Sequence, residues 1–233
     1  MHWRVALIDS GLDAIDLPEP LAAQRFESTM GQIVRVPLTG DPTGHGTAIA
    51  EILHASGAAP QLLVAQVLNA EGRTTPAAVA DALRWALEHD ARLIHLSLGL
   101  AEDRVVLRKA IAAAHAAGVL MVAATPARGR VSFPAAYPEV LRATGDARCG
   151  PEQISALGTR VAEFGGCVAH RSAGRVLRGA SIGAAHVSRY ILRHCSPALD
   201  PARLRTHLAD SAAFTGPERR GDAAAASSGD VSA

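Results

Sequence analysis

Short apolar runs alternate with longer segments of helical period along this chain. The runs at 5–8, 33–36, 62–68, 93–96, 119–124 and 140–144 are β-branched or Leu-rich without in-and-out alternation, the pattern of strands covered on both faces. Between them, 47–55, 76–89 and 104–117 are Ala-rich with apolar residues at helical spacing. Thr74 or Thr75 can cap the second of these helices, with Pro76 in its first turn, and Gly118 ends the third. The alternation predicts an α/β fold, a mostly parallel central sheet flanked by helices on both faces. After Gly145 the pattern changes: 153–157 and 161–164 read as a small antiparallel pair, followed by Gly-rich chain, a helix over about 181–194 and a last one over 201–212. From 216 onward Pro, Gly, Ser, Ala and charge replace the apolar pattern, so one domain is expected over 1–215 and a disordered tail over 216–233.

Composition narrows the partners. A chain of 233 residues at 48% hydrophobic can bury a core without disulfides. Its 23 basic and 22 acidic side chains nearly cancel and no run of Lys or Arg occurs, so neither nucleic acid nor an anionic membrane is expected as a partner. Cys149, Cys167 and Cys195 are odd in number and lack C-x-x-C spacing, which argues against a disulfide framework and a zinc site. The apolar stretch after Met1 is too short for a signal or a membrane span, and with three reduced thiols it makes a cytoplasmic location the expectation.

In parallel sheets of this kind ligands collect at the carboxyl ends of the strands. Asp9 directly follows the first apolar run, His45 opens a helix within Gly44-His45-Gly46, and Ser181 opens another within Gly179-Ala180-Ser181-Ile182-Gly183. A carboxylate, an imidazole and a hydroxyl form the set that makes a serine nucleophilic. Each piece alone is weak, since Asp-Ser-Gly after a strand is commonly a turn and a Gly-flanked His a loop residue. The G-x-S-x-G spacing also fits the elbow of α/β-hydrolases, but that order needs an acid and a His after the serine, and the chain beyond Ser181 offers no strands to carry them.

The three blocks around Asp9, His45 and Ser181, in that order, resemble those of the subtilisin-like serine proteases. Ile94-His95-Leu96-Ser97-Leu98-Gly99 resembles the family's substrate-binding strand, and Phe133-Pro134-Ala135-Ala136-Tyr137-Pro138 its segment before the sixth strand. The resemblance runs from about Val5 to His194 and implies a subtilisin-like three-layer fold, with Asp9 orienting, His45 as base and Ser181 as nucleophile. It further implies that Ser97, Leu98 and Gly99, with Gly72, Arg73 and Thr74 opposite, pair with an extended peptide. The positive end of the helix starting at Ser181 points at the nucleophile, so the Ser181 N–H supplies half an oxyanion hole.

The other half departs from the family. Where subtilisin-like enzymes read Ala-Gly-Asn, this chain reads Ala124-Thr125-Pro126, and Pro126 has no amide to donate. Thr125 is the candidate substitute donor, and Arg128, in the loop that follows, a candidate for the specificity pocket. His186 reads as a packed core histidine. No H-E-x-x-H or Cys/His pairing occurs and 53–61 holds no carboxylate or Asn cluster, so neither a metal nor another cofactor is expected. The resemblance and the small Ala-rich chain imply an intracellular endopeptidase that removes a leader from a dedicated precursor, with a modifying enzyme as a possible presenting partner. The small crosslinked subunit of quinohemoprotein amine dehydrogenase is the precursor that overall resemblance suggests. The alternative is an inactive protease-like protein that binds or chaperones a peptide, which Pro126 favours and the intact Asp9, His45 and Ser181 oppose.

Overall fold

A computed structural model describes residues 2–13 and 17–218. Most of the domain expected over 1–215 lies within them, whereas 219–233 of the expected tail lie outside the described residues. Strand β1 (Arg4–Asp9) is followed by β2 (Ala22–Thr29), β3 (Gln32–Val36), α1 (His45–His54), β4 (Gln61–Gln66), α2 (Pro76–Glu88), β5 (Leu93–Leu96), α3 (Val105–Ala116), β6 (Leu120–Ala124) and β7 (Leu141–Asp146). Beyond them come β8 (Ile154–Ala156), β9 (Phe164–Cys167), β10 (Ala169–Ser172), β11 (Arg175–Arg178), α4 (Ala180–His194), α5 (Pro201–Asp210) and β12 (Phe214–Thr215).

Ten strands form one sheet in the order β12-β8-β9-β7-β6-β5-β1-β4-β2-β3. Parallel pairs run from β2 through β4, β1, β5, β6 and β7 to β9, and only β2–β3 and β8–β9 are antiparallel. The sheet is covered on both faces, as the unalternated apolar runs require. On one side α2 and α3 close over Ile8, Leu63, Ile94 and Met121, and on the other α1 and α4 close over Leu7, Val64, Leu93 and Val122. Thr75 is the cap of α2: its hydroxyl accepts from the Ala78 amide at 3.2 Å, with Pro76 at the first helical position.

Two differences from the sequence pattern bear on the site. The segment Ala22–Thr29 carries little apolar signal yet forms a strand, because β4 on one side and β3 on the other satisfy its backbone. The Gly-rich chain before α4 holds the hairpin β10–β11. Strand order reverses at β1, which lies between β4 and β5, so a crevice opens at its carboxyl end, where Asp9 stands.

Candidate active site

Asp9 ends β1 with no solvent exposure, and His45 is the first residue of α1. Their approach depends on two glycines. A Cβ on Gly46 would lie 2.3 Å from the Gly11 carbonyl oxygen, and one on Gly11 would lie 2.2 Å from that of Gly40, so three backbone segments cross where no side chain fits. The crossing leaves His45 Nδ1 2.8 Å from Asp9 Oδ1, which also accepts from the Ser10 amide at 2.6 Å. A carboxylate can only accept, so Nδ1 carries the imidazole proton and Nε2 keeps its lone pair. Burial opposes protonation of His45, but the hydrogen bond and charge of Asp9, with the charge of Asp41, outweigh it and raise its pKa above that of free imidazole.

Asp41 is a site residue that the sequence motifs did not single out. Its Oδ2 accepts from the Thr47 amide and hydroxyl, both at 2.8 Å, and its Oδ1 lies 2.8 Å from the Ser10 hydroxyl. The Ser10 oxygen in turn accepts from the Gly46 amide at 3.0 Å and lies 3.1 Å from Asp9 Oδ1. Burial pushes the Asp41 pKa up, but the bonds from Thr47, Ser10 and Thr43 prevail and it is lowered. Asp41 thus anchors the first turn of α1, and with it the position of His45, to the loop after β1. The carboxylate two residues after Thr39 and six before Thr47 was the available signal, an acceptor close to the unbonded amides of a helix start.

Ser181 is the second residue of α4, which packs against α1 and lies directly on β7. That contact is close because Gly183 has no side chain: a Cβ there would lie 2.2 Å from the Thr144 carbonyl oxygen. Gly183 is the first residue of the helix to donate within it, to Gly179 at 3.1 Å, so the amides of Ala180, Ser181 and Ile182 have no helical acceptor. Among the described residues the Ser181 hydroxyl has no hydrogen-bond partner, and neither has His45 Nε2. The Thr125 amide is committed to the Ala143 carbonyl at 2.9 Å, but its hydroxyl is buried and unpartnered among the described residues, so the hydroxyl is the donor that Thr125 can offer.

The two segments assigned to substrate meet across one groove. Gly72, Arg73 and Thr74 face Ser97, Leu98 and Gly99 around a volume of about 450 Å³. Arg128 is exposed and stands apart from this groove, bordering a separate cavity of about 240 Å³ beside Thr144 and Asp146. Beneath the groove His95 is fully buried, its Nε2 2.7 Å from the Ser97 hydroxyl and its Nδ1 2.9 Å from that of Ser188 on α4, and burial drives its pKa down to about 4. His186 is also buried, with Nδ1 3.3 Å from the Pro151 carbonyl and a pKa lowered by burial to about 4. All three cysteines are unpaired. Among the described residues no group of three His, Cys, Asp or Glu could hold a metal ion, and no helix is long and apolar enough to cross a membrane.

A parallel sheet covered on both faces carries an Asp-bound His at its switch point, and α4, with Ser181 in its first turn, packs against the helix that begins with that His. The chain belongs to the subtilase family, whose sequence profile matches residues 3–229. It is similar to Subtilisin BL of Lederbergia lenta, 34% identical over 116 residues, or 45% of this chain and 43% of that protein. It is also similar to a thermostable alkaline protease of Halalkalibacterium halodurans, 32% identical over 150 residues, or 59% of this chain and 40% of that protein. The chain thus spans less than half the length of these curated relatives. Among solved structures, Sphericase superposes with a TM-score of 0.64 at 19% identity, covering 89% of this chain and 82% of that one, which shows the shared fold.

The cytoplasmic location expected above is corrected by these matches, which run to extracellular enzymes such as the minor extracellular protease Epr of Bacillus subtilis. That expectation rests on the first apolar run and the three thiols, both of which are parts of the folded domain.

Proposed function

We propose that this chain is a serine endopeptidase that acts through an acyl-enzyme on Ser181. The observation that carries this is the 2.8 Å bond from His45 to Asp9, which leaves Nε2 as a free base on α1, the helix packed against α4, whose second residue is Ser181. In the first step Nε2 takes the Ser181 proton as Oγ bonds to the scissile carbonyl carbon, and the carbonyl oxygen gains the charge. The Ser181 amide and the Thr125 hydroxyl donate to that oxygen. Collapse breaks the C–N bond, and His45 returns its proton to the leaving nitrogen. A water, deprotonated by His45, then attacks the ester and Ser181 regains its proton.

The groove between Gly72 to Thr74 and Ser97 to Gly99 holds the substrate as an added strand. Pro126 stands where the family has an Asn whose amide donates to the oxyanion, which slows the chemistry on generic peptides and favours one dedicated precursor whose leader is removed, with a modifying enzyme presenting it. Family membership bears on neither the precursor nor that partner. The small crosslinked subunit of quinohemoprotein amine dehydrogenase remains the precursor proposed from sequence resemblance, and incubating its leader-bearing form with this enzyme tests it: an uncut leader ends that assignment.

Pro126 is also the observation that favours an inactive peptide-binding protein. A fluorophosphonate probe separates the two. Labelling on Ser181 that is lost in Ser181→Ala and His45→Ala supports the peptidase; no labelling of the wild type refutes it.

A further inference from the structure

His95 is a fully buried imidazole that the acyl-enzyme steps do not use. It stands on β5 beside Leu7 of β1, on the face that α1 and α4 cover. Its two nitrogens meet two hydroxyls, that of Ser188 on α4 and that of Ser97 just past the end of its own strand. Burial drives its pKa down to about 4, with the charge of Asp9 opposing and that of His45 adding to the effect, so the ring is neutral and carries a single proton. Which nitrogen holds that proton decides what Ser97 can do in the groove.

The Ser188 hydroxyl answers this. Ser188 has no solvent exposure, and among the described residues its oxygen has one hydrogen-bond partner, His95 Nδ1 at 2.9 Å. A hydroxyl has one proton to donate, and the ring nitrogen is the acceptor in reach, so Nδ1 accepts. The imidazole proton therefore sits on Nε2 and is donated to Ser97 Oγ at 2.7 Å. With the other tautomer the Ser188 proton would have no acceptor in a closed core, the costly arrangement for a buried donor. Ser97 thus keeps its own proton for a further acceptor, and among the described residues it has none.

That proton lies where a peptide passes, because Ser97 lines the substrate groove. Since β1 pairs with β5 at Leu7–His95 and Ile8–Leu96, Ser97 comes level with Asp9 at the strand ends. Ser188 and Ser181 are about two turns apart on α4 and share one face of it, so the helix that seats Ser188 on His95 carries Ser181 toward the same strand ends.

We propose that Ser188 and His95 are positioning residues that hold the Ser97 hydroxyl as a hydrogen-bond donor, and that its acceptor is a main-chain carbonyl oxygen of the bound polypeptide. The proposal rests on the reading of the groove as a peptide site. Every residue of a peptide carries such an oxygen, so the contact binds extended chain without selecting a side chain, and it acts in the ground state and the transition state alike.

The first test is nitrogen NMR of histidine-labelled Ser181→Ala protein near neutral pH. His95, identified by the signal that Ser188→Ala displaces, is expected to carry its proton on Nε2 with Nδ1 bare; a proton on Nδ1, or on both nitrogens, overturns the proposal. The second is kcat and KM on a peptidyl nitroanilide. Ser97→Ala and His95→Leu are each expected to raise KM about fivefold with kcat within about twofold, and the double variant to be no worse than either, because one contact is lost in all three. His95→Gln offers an amide N–H to Ser97 and a carbonyl to Ser188, and it is expected to restore most of the loss. An unchanged KM in Ser97→Ala overturns the substrate contact. If the pH inflection shifts while KM stays, the proton goes instead to Asp9 Oδ2, a buried oxygen that also has no partner among the described residues. Losses that add in the double variant, or a His95→Gln protein no better than His95→Leu, overturn the positioning role. Because the NMR measurement needs no turnover, failure here is distinct from failure of the peptidase reading, which fluorophosphonate labelling of wild-type Ser181 reports separately.

Discussion

Replacing Asp9 by Asn preserves the shape of the site and removes its charge. Asp9 Oδ1 holds His45 Nδ1 at 2.8 Å, and nothing else among the described residues bonds that nitrogen. An Asn can present its NH₂ to Nδ1, which places the imidazole proton on Nε2 and abolishes the base. The imidazolium formed during attack also loses its counter-charge. With charge centres about 4 Å apart and an effective dielectric constant of about 20, that loss is about 4 kcal/mol, or about 10³ in rate. The wrong tautomer brings the expected fall in kcat to about 10⁴.

The pH dependence gives a second readout with a definite sign. Burial lowers the His45 pKa while Asp9 and Asp41 raise it, and the balance is a raised value. The base works when neutral, so wild-type kcat/KM should rise with pH and inflect above the ordinary imidazole value of about 6.5. In Asp9→Asn the largest raising influence is gone while burial stays, so the residual activity should inflect at lower pH. The assay is kcat/KM on a peptidyl nitroanilide over roughly pH 5 to 10, with the melting temperature measured beside it. A variant within about tenfold of wild type, or an inflection that stays or moves upward, would refute this account of His45.

Asp41→Asn should cost about 3 kcal/mol of stability near neutral pH, because the Thr47 amide and hydroxyl lose a charged acceptor inside the fold. The folded-state pKa of Asp41 is lowered, so its contribution is present above the unfolded value of about 3.9 and is lost as pH falls through the folded one; the gap in denaturation midpoint between wild type and variant should close in acid. Thr125→Val removes a buried hydroxyl that has no partner among the described residues, so melting should be unchanged or slightly raised while kcat falls about tenfold at constant KM; unchanged kcat would exclude this hydroxyl as an oxyanion donor. Gly46→Ala would set a Cβ 2.3 Å from the Gly11 oxygen, and the displaced His45 should lower kcat/KM by about 10² or more, with full activity disproving the need for that contact.

Much of this protein was determined along the chain itself. Residues 5–8, 62–68, 93–96 and 119–124 are apolar on both sides, and such runs can satisfy water-free surroundings only inside a sheet with helices on both faces. Because chemistry in such sheets gathers at strand ends and helix starts, the placement of Asp9, His45 and Ser181 was legible, as was the Thr75 and Pro76 start of α2. The two groove segments, 72–74 and 97–99, were likewise marked by the resemblance they carry.

Only the tertiary structure decided the rest. Ala22–Thr29 is a strand because of what pairs with it, and strand propensity is largely a property of neighbours. Asp41 reads as an ordinary loop carboxylate until the crossing at Gly11, Gly40 and Gly46 brings Ser10 and Thr47 within 2.8 Å of it. Thr125 offers two donors on paper, and the pairing of its amide with Ala143 removes one. A cavity of about 610 Å³ lies beside β2 because β4 turns away toward Asp9 four residues before β2 ends, a difference in length between two strands far apart in sequence. Periodicity records which face of an element is apolar, whereas hydrogen bonds and voids between elements depend on distances that arise only when the chain folds onto itself.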